Sequence, residues 1–448
     1  GPGQTGPGSG QHAGPDETAP GPDQAAPPGP GDSDAPVRSL WRGRIMLIAG
    51  IALLGISLRY AITGMSPFLP QIQADLGMGT AGATLLGMLP TLFFGAAGFL
   101  TPVLIRRTSL EFAAVVAMLA AAAGSGLRAL VDSVPLFLVL SALALFGMGI
   151  GNVVGAPLVK KYFADRPAPM LTLFALLMQA GATIPSMLAL PLAELGNGWR
   201  FSIGSWALLS VVAAVPWIIQ LVKVTRADQS RADEAGGQGK PAQRTFGLGY
   251  LLTNPIAVGT ALFYAMASLI TYAMLAWMPT IFQSLGHDAA SAATAFAIFT
   301  FLTLPLAAIS PVVGAKMRNP FPYAALLTVL PAVGFLGLTF WPGAHLLWAF
   351  LIGMIGGAFP LAISMFNQRT RTEQGSGALS GFAMGVGYLA GTLGPLLGGW
   401  LNAATGGWSG AILLYAAVSV PMLLAGWAMC KPDRYLEDGT ARSKAPSA

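Results

Sequence analysis

Apolar runs recur along this chain, each long enough to cross a bilayer and each closed by a short polar break. They lie near residues 45–69, 82–105, 110–131, 134–158, 168–193, 200–222, 256–282, 290–315, 321–341, 343–366, 377–402 and 407–430. A hydrocarbon core needs about 20 apolar residues of helix, and no backbone polar group can be left unpaired in lipid. The pattern therefore predicts an all-α membrane protein with twelve transmembrane helices. One interruption is long: residues 223–253 are polar, charged and glycine-bearing, and they split the spans six and six. Residues 1–43 are rich in Gly, Pro, Ala and Asp, with almost no bulky apolar side chains. Such a stretch cannot bury a core and is expected to be disordered. It opens at Gly1 without methionine and shows no pattern of a cleavable signal.

Composition agrees with the pattern. The 448 residues are 54% hydrophobic and only 9% charged, against about 25% charged in soluble domains. The net charge of +6 does not point to nucleic acid, because the positive residues sort by membrane side. With both termini placed inside the cell, all but three of the 24 lysines and arginines fall on inner segments; the three are Arg59, Arg128 and Arg200. Asp75, Asp132, Glu194 and Asp288 fall at outer ends. Inner excess of Lys and Arg sets orientation, so both termini are expected in the cytoplasm of a bacterial cell with the chain in its inner membrane. The expected organisation is a cytoplasmic tail (1–43), a six-helix bundle (44–222), a cytoplasmic linker (223–253), a second six-helix bundle (254–430) and a second tail (431–448). Cys430 is the single cysteine, which excludes an intrachain disulfide and a cysteine metal cluster. No phosphate-loop signature, catalytic triad or metal-ligand cluster is present. The chain therefore reads as no enzyme, without cofactor or metal.

The first span carries the residue that most needs a reason. Arg59 sits near its middle, about 20 Å along a helix from Ile45, where a charge costs several kcal/mol or more. On a continuous helix Ile56, Arg59, Thr63 and Ser66 share one face. That face must look into protein or a water-filled cavity.

The two halves repeat. A shift of 209 residues carries Pro70-x-Ile72-x-x-x-Leu76-Gly77 onto Pro279-x-Ile281-x-x-x-Leu285-Gly286, Pro102 onto Pro311, Arg107 onto Lys316, Gly147 onto Gly356, Lys160 onto Arg369, and Gly198-Trp199 onto Gly407-Trp408. Six-helix halves of one orientation, joined by an inner loop, are parallel repeats about an axis along the membrane normal, the arrangement of major facilitator transporters.

Within that superfamily the chain resembles the cyanate/2-nitroimidazole (CynX/NimT) transporters from about residue 45 to 430. The resemblance rests on Arg59-Tyr-Ala-Ile-Thr with Pro67-x-x-Pro70 and Asp75-Leu-Gly77, on Leu127-Arg128, and on Gly149-Ile-Gly-Asn152 with Pro157-x-Val-Lys160. Trp277-Met-Pro279 and Gly387-Tyr388 leading to Gly394-Pro395 complete it. The superfamily's loop between helices 2 and 3 usually holds an aspartate where this chain reads Gly98-Phe-Leu-Thr-Pro102-Val-Leu-Ile-Arg106-Arg107. Proline at that place is favoured within the group, and the charge relay ascribed to that loop is in doubt here. The resemblance implies a carrier of small solutes and names no single cargo.

Candidate binding residues follow from depth. Helix 1 offers Arg59 and Thr63. Asn152 of helix 4 is about 12 Å from Lys160 at the inner end, and Gln179 is similarly deep in helix 5. Tyr264, Ser268 and Tyr272 lie at mid-depth in helix 7, and Tyr388 of helix 11 is the repeat partner of Gln179. Ser268 is the partner of Arg59, so the arginine exists in one half only. Arg128 and Trp277 are placed at a gate or outer vestibule. Each has a blander reading: Arg59 bonded to carbonyls of a broken helix, Arg128 in a surface ion pair with Asp132, Asn152 and Gln179 tying helices together, and the aromatics as packing or interfacial belt. The glycine runs at 147–155 and 377–399 read as close helix packing. No Asp, Glu or His lies deep in any span, so a proton relay has no candidate. The expected function is secondary transport of a small anionic or oxygen-rich solute by alternating access, by a monomer. The open alternatives are an efflux carrier for drug-like compounds or metabolites, and a membrane sensor that does not transport.

Overall fold

In the computed structural model, residues 44–234 and 246–438 are described. The tail expected to be disordered (1–43), the middle of the expected linker (235–245) and residues 439–448 lie outside them. The described residues are helical throughout, without a strand. Twelve helices among them are long and apolar enough to cross a membrane: α1 Ile45–Thr63, α2 Leu85–Arg107, α3 Leu110–Arg128, α4 Val134–Tyr162, α5 Pro167–Pro185, α6 Trp199–Gln229, α7 Pro255–Ser284, α8 Thr294–Lys316, α9 Phe321–Phe340, α10 Pro342–Gln368, α11 Glu373–Thr405 and α12 Ser409–Met429. Local chemistry starts and stops them where the hydropathy changes. Asn254 caps α7, its side-chain oxygen accepting from the amides of Ile256 (2.9 Å) and Ala257 (3.2 Å), with Pro255 pre-set for the first helical position. Ser109 caps α3 and Thr372 caps α11 in the same way. Gly406, at φ 72°, ends α11 in the left-handed conformation glycine allows.

Two expectations change, and a third segment shows packing on which the sequence was silent. First, α1 is not one helix. It is regular over Ile45–Ile56, breaks through Ser57, Leu58 and Arg59, and resumes over Tyr60–Thr63. Arg59 itself has φ −132° and ψ −18°, so the shared face of Ile56, Arg59, Thr63 and Ser66 does not exist. Second, the polar stretch after residue 222 does not begin with a loop. Helix continues unbroken from Ala207 to Glu234, carried by the good helix formers Ala, Arg, Gln and Glu. Third, the segment after α12 is packed as far as it is described: Leu436 is buried, and its amide bonds the Arg369 carbonyl (2.8 Å).

The long helix α11 lies at the centre of the bundle, against α7 of its own half and against α2 and α4 of the other. Glycine makes the crossing with α2 possible. A Cβ on Gly98 would stand 2.4 Å from Gly385 Cα, and one on Gly381 would stand 2.4 Å from Pro102 Cγ. The second contact between the halves is α5 against α8.

The charged residues gather at one end of the bundle, here termed the basic end. Arg44 pairs with Asp165 (2.8 Å), and Lys161 with buried Glu111 (2.7 Å). Arg44 holds the Asp165 carboxyl below the usual carboxylate range. At the far end Trp199 donates its indole N–H to Asp75 (2.6 Å), and Arg200 pairs with Asp132 (2.6 Å).

Candidate functional site

The break in α1 sets up the centre of the bundle. Leaving helical geometry at Ser57–Arg59 strands backbone carbonyls and turns consecutive side chains to different neighbours. Tyr60 points outward within the first half: its hydroxyl lies 2.8 Å from Ser210 Oγ of α6 and 3.4 Å from the Ala121 carbonyl of α3. Arg59 points the other way, toward α7 and α11. Its guanidinium lies in the electrostatic neighbourhood of the hydroxyls of Tyr388, Tyr272 and Tyr264. The Arg59 Nε is buried with no partner among the described residues. An arginine normally satisfies five donors; this one forms no ion pair among the described residues and keeps part of its surface accessible.

The tyrosines form a cluster of their own. The Tyr264 hydroxyl bonds that of Tyr388 at 3.1 Å. Their rings meet edge to face at 5.7 Å, and Tyr272 meets Tyr388 at 6.4 Å. Phe94 of α2 closes on Tyr388 at 5.1 Å. Tyr264 and Tyr388 are buried, while Tyr272 keeps accessible surface beside Arg59. One cation from the first half therefore looks onto a wall of aromatic hydroxyls from the second.

The other expected site residues divide. Thr63 stays partly accessible and donates back to the Arg59 carbonyl (3.3 Å). Gln179 crosses between halves, its amide N–H bonding Thr303 Oγ1 of α8 at 2.9 Å. Asn152 is buried, and its amide nitrogen has no partner among the described residues. Ser268 is buried in the α7–α11 contact against Gly391. Trp277 donates to the Pro395 carbonyl (2.9 Å) and meets the Trp408 ring at a tilt, 5.1 Å between centroids, which makes it a packing element between α7, α11 and the start of α12.

Arg128 is not the surface partner of Asp132. α3 ends at Arg128, so helical counting does not carry on to residue 132, and Arg200 reaches Asp132 instead. Arg128 turns inward at 1% exposure. It donates to the Ala61 carbonyl (2.8 Å) and to Ser141 Oγ (3.3 Å), over the Phe137 ring.

Sequence reasoning missed the polar contacts that join the halves. Thr392 of α11 donates to Thr91 of α2 (2.9 Å) one helical turn beyond Tyr388. At the basic end Lys160 donates to the carbonyls of Asn367 (2.6 Å) and Thr370 of the other half. Ser380 donates to the Val153 carbonyl (3.0 Å). The sequence signal for Lys160 was present, since it stands at an inner helix end; its acceptors are main-chain atoms, which no side-chain pattern announces. Glu111 was likewise passed over at the mouth of α3, where Lys161 and the Tyr162 hydroxyl engage it.

The family model described as Major Facilitator Superfamily matches residues 45–379. Among curated proteins, the 2-nitroimidazole transporter of Escherichia coli (strain K12) is 29% identical over 388 residues, covering 86% of this chain and 95% of that one. The cyanate transport protein CynX of the same strain is 26% identical over 359 residues, covering 80% and 90%. Among solved structures, the transporter FucP in its outward conformation superposes with a TM-score of 0.64 at 13% identity, covering 87% of this chain and all of that one.

Proposed function

The chain belongs to the Major Facilitator Superfamily, and on that premise we propose that this multi-pass transporter carries a small anionic or oxygen-rich solute, of the cyanate or nitro-heterocycle kind, bound at Arg59. The proposed membrane is the bacterial inner membrane, with the basic end in the cytoplasm, as the lysine and arginine bias favours. The observation that carries the cargo class is the unpaired guanidinium. A cation at this depth of a bilayer without a counter-charge among the described residues is costly, and an anion or a strong oxygen acceptor offsets that cost on binding. Its planar fork suits two oxygens at once. The accessible Tyr272 hydroxyl donates to the same oxygens, and its ring packs on a flat cargo. The names of the two relatives, one for 2-nitroimidazole and one for cyanate, fit this class. Alternating access then follows as rocking of residues 44–222 against 254–430 about the central site. The cross-half bonds of Lys160 and Ser380 support a state closed at the basic end.

The test is transport by purified protein in proteoliposomes with cyanate and 2-nitroimidazole as probes. Arg59→Ala and Arg59→Lys are both expected to abolish uptake while leaving a folded, monodisperse protein. Unchanged apparent affinity in Arg59→Lys removes the fork from the argument. Loss of folding in Arg59→Ala assigns the residue to structure.

A further inference from the structure

We propose that Arg128 is a positioning residue: it holds the carbonyl end of the short helical turn that follows Arg59, and so fixes where the Arg59 guanidinium points. The proposal rests on Arg59 binding the cargo. The argument begins with backbone accounting. Tyr60–Thr63 is a single turn, far below the length at which a helix is stable by itself. The chain leaves helical geometry after Gly64, so the Ala61 carbonyl receives no amide from Met65. An unpaired carbonyl at this depth in a bilayer costs several kcal/mol. Arg128 Nη2 supplies the missing donor at 2.8 Å, and a cation is the charge a helix C-terminus favours.

The remaining contacts of Arg128 fix its own position. Nη1 bonds Ser141 Oγ and touches Met65 Sδ (3.7 Å). Phe137 underlies the guanidinium at 6.0 Å. At 1% exposure its side chain is closed off by protein and spends its donors on Ala61 and Ser141, so it acts on Arg59 through the backbone. On the opposite side of the break, Ile56 O presses against Gly181 of α5. The two ends of the non-helical stretch are therefore held from α3 and from α5, and Arg59 lies between them. Ala61 is two residues from Arg59, so a shift of its carbonyl end displaces the guanidinium, whose directional hydrogen bonds weaken steeply with misalignment.

The experiment uses the full chain with Arg128→Lys, Arg128→Leu and Ser141→Ala. The first readout needs no cargo: hydrogen–deuterium exchange over residues 57–66 in purified protein. Exchange there is expected to rise by about tenfold or more in Arg128→Leu, less in Arg128→Lys, which keeps one donor, and least in Ser141→Ala, with the other helices unchanged. No rise at 57–66, or an equal rise throughout the chain, overturns the proposal. The second readout is proteoliposome uptake of cyanate and 2-nitroimidazole. Arg128→Leu is expected to raise KM by about 10- to 100-fold with partial rescue in Arg128→Lys. In an Arg59→Lys background, where uptake is expected to be lost, the weak residual binding of 2-nitroimidazole is expected to change by no more than about twofold on adding Arg128→Leu, since residues acting through one another are non-additive. Full additivity makes Arg128 a general stability residue and overturns the proposal. If Arg59→Lys leaves affinity intact, the binding role of Arg59 fails, and the exchange result still decides what Arg128 holds.

Discussion

Lys160→Met tests whether the basic end is a gate. Lys160 stands near the end of α4 in the first half, and its ammonium donates to the carbonyls of Asn367 and Thr370 in the second. Both acceptors lie at or just beyond the C-terminal end of α10, where carbonyls lack intrahelical partners and a cation is favoured. Opening this end must break both bonds. A hydrogen bond from a charged donor contributes about 1.5–3 kcal/mol. Water enters as the gap opens and recovers part of that, so the pair biases the equilibrium toward closure by about 2–3 kcal/mol in all. Each 1.4 kcal/mol is tenfold, so methionine, which preserves the stem without the charge, is expected to shift the closed-to-open ratio by about 30- to 150-fold. The assay is a spin-label distance between Arg107→Cys on the first half and Arg434→Cys on the second, in a Cys430→Ala background. Wild type is expected to give a dominant short distance, and Lys160→Met a dominant or strongly populated long one. An unchanged distribution refutes the reasoning, because it means the bonds are replaced without loss in whichever state follows.

Other outcomes follow from the same geometry. Glu437 accepts from the amides of Arg371 (2.9 Å) and Thr372 (3.1 Å) and from the Thr372 hydroxyl (3.0 Å), and so shapes the loop that offers the Thr370 carbonyl. Glu437→Gln is expected to move the same spin-label distances in the same direction as Lys160→Met by a smaller amount, and to lower stability by about 1–3 kcal/mol in thermal unfolding. Gly181→Ala puts a Cβ 2.0 Å from Ile56 O and 2.8 Å from its carbon; the backbone must shift, at a cost of about 1–3 kcal/mol, and uptake is expected to fall further than melting temperature suggests. The nearest ionisable neighbours of Arg59 are tyrosine hydroxyls, and arginine stays protonated. Uptake of two cargoes of well-separated pKa is therefore expected to follow each cargo's own ionisation between about pH 5.5 and 8; a common midpoint for both would assign a titrating group to the protein.

The fold was legible because a bilayer makes one demand, a long apolar helical span, and the described residues meet it twelve times. The break in α1 was not legible. No glycine or proline falls between Ile56 and Thr63, and the run is apolar on both sides of Arg59. What bends the chain there is tertiary: Gly181 receives the Ile56 carbonyl and Arg128 receives that of Ala61. The helix that runs on to Glu234 was missed for the opposite reason, since hydropathy ends at Val222 while helix propensity does not. Around Arg59, depth counting put Tyr272 and Tyr388 at one level with it, because mid-span residues of a bundle must meet near one level, and both lie beside the guanidinium. It could not separate Ser268, which faces Gly391, from Tyr272, one turn away on the same helix. Arg128 was assigned by spacing to Asp132, and spacing fails as soon as a helix ends.

The repeat explains why so few residues carry the chemistry. Two halves built on one pattern supply matching frames, and a symmetric pocket would recognise only a symmetric cargo. Function enters where the 209-residue correspondence is broken. Arg59 stands opposite a serine in the repeat, and Gln179 opposite Tyr388, so the first half brings the cation and the second the aromatic hydroxyls. The same break recurs at the basic end. Lys160 reaches across to the carbonyls of Asn367 and Thr370, while its counterpart Arg369 turns back to the carbonyls of Met429 (3.1 Å) and Cys430 (2.9 Å) within its own half. In both places the first half donates positive charge and the second accepts it. If Arg59 binds the cargo as proposed, an anionic end faces α1, and the Lys160 bonds at the basic end have the same polarity as that binding bond. The two are linked through α11, which carries Tyr388 at the site and begins, at Glu373, beside the loop that Lys160 grips.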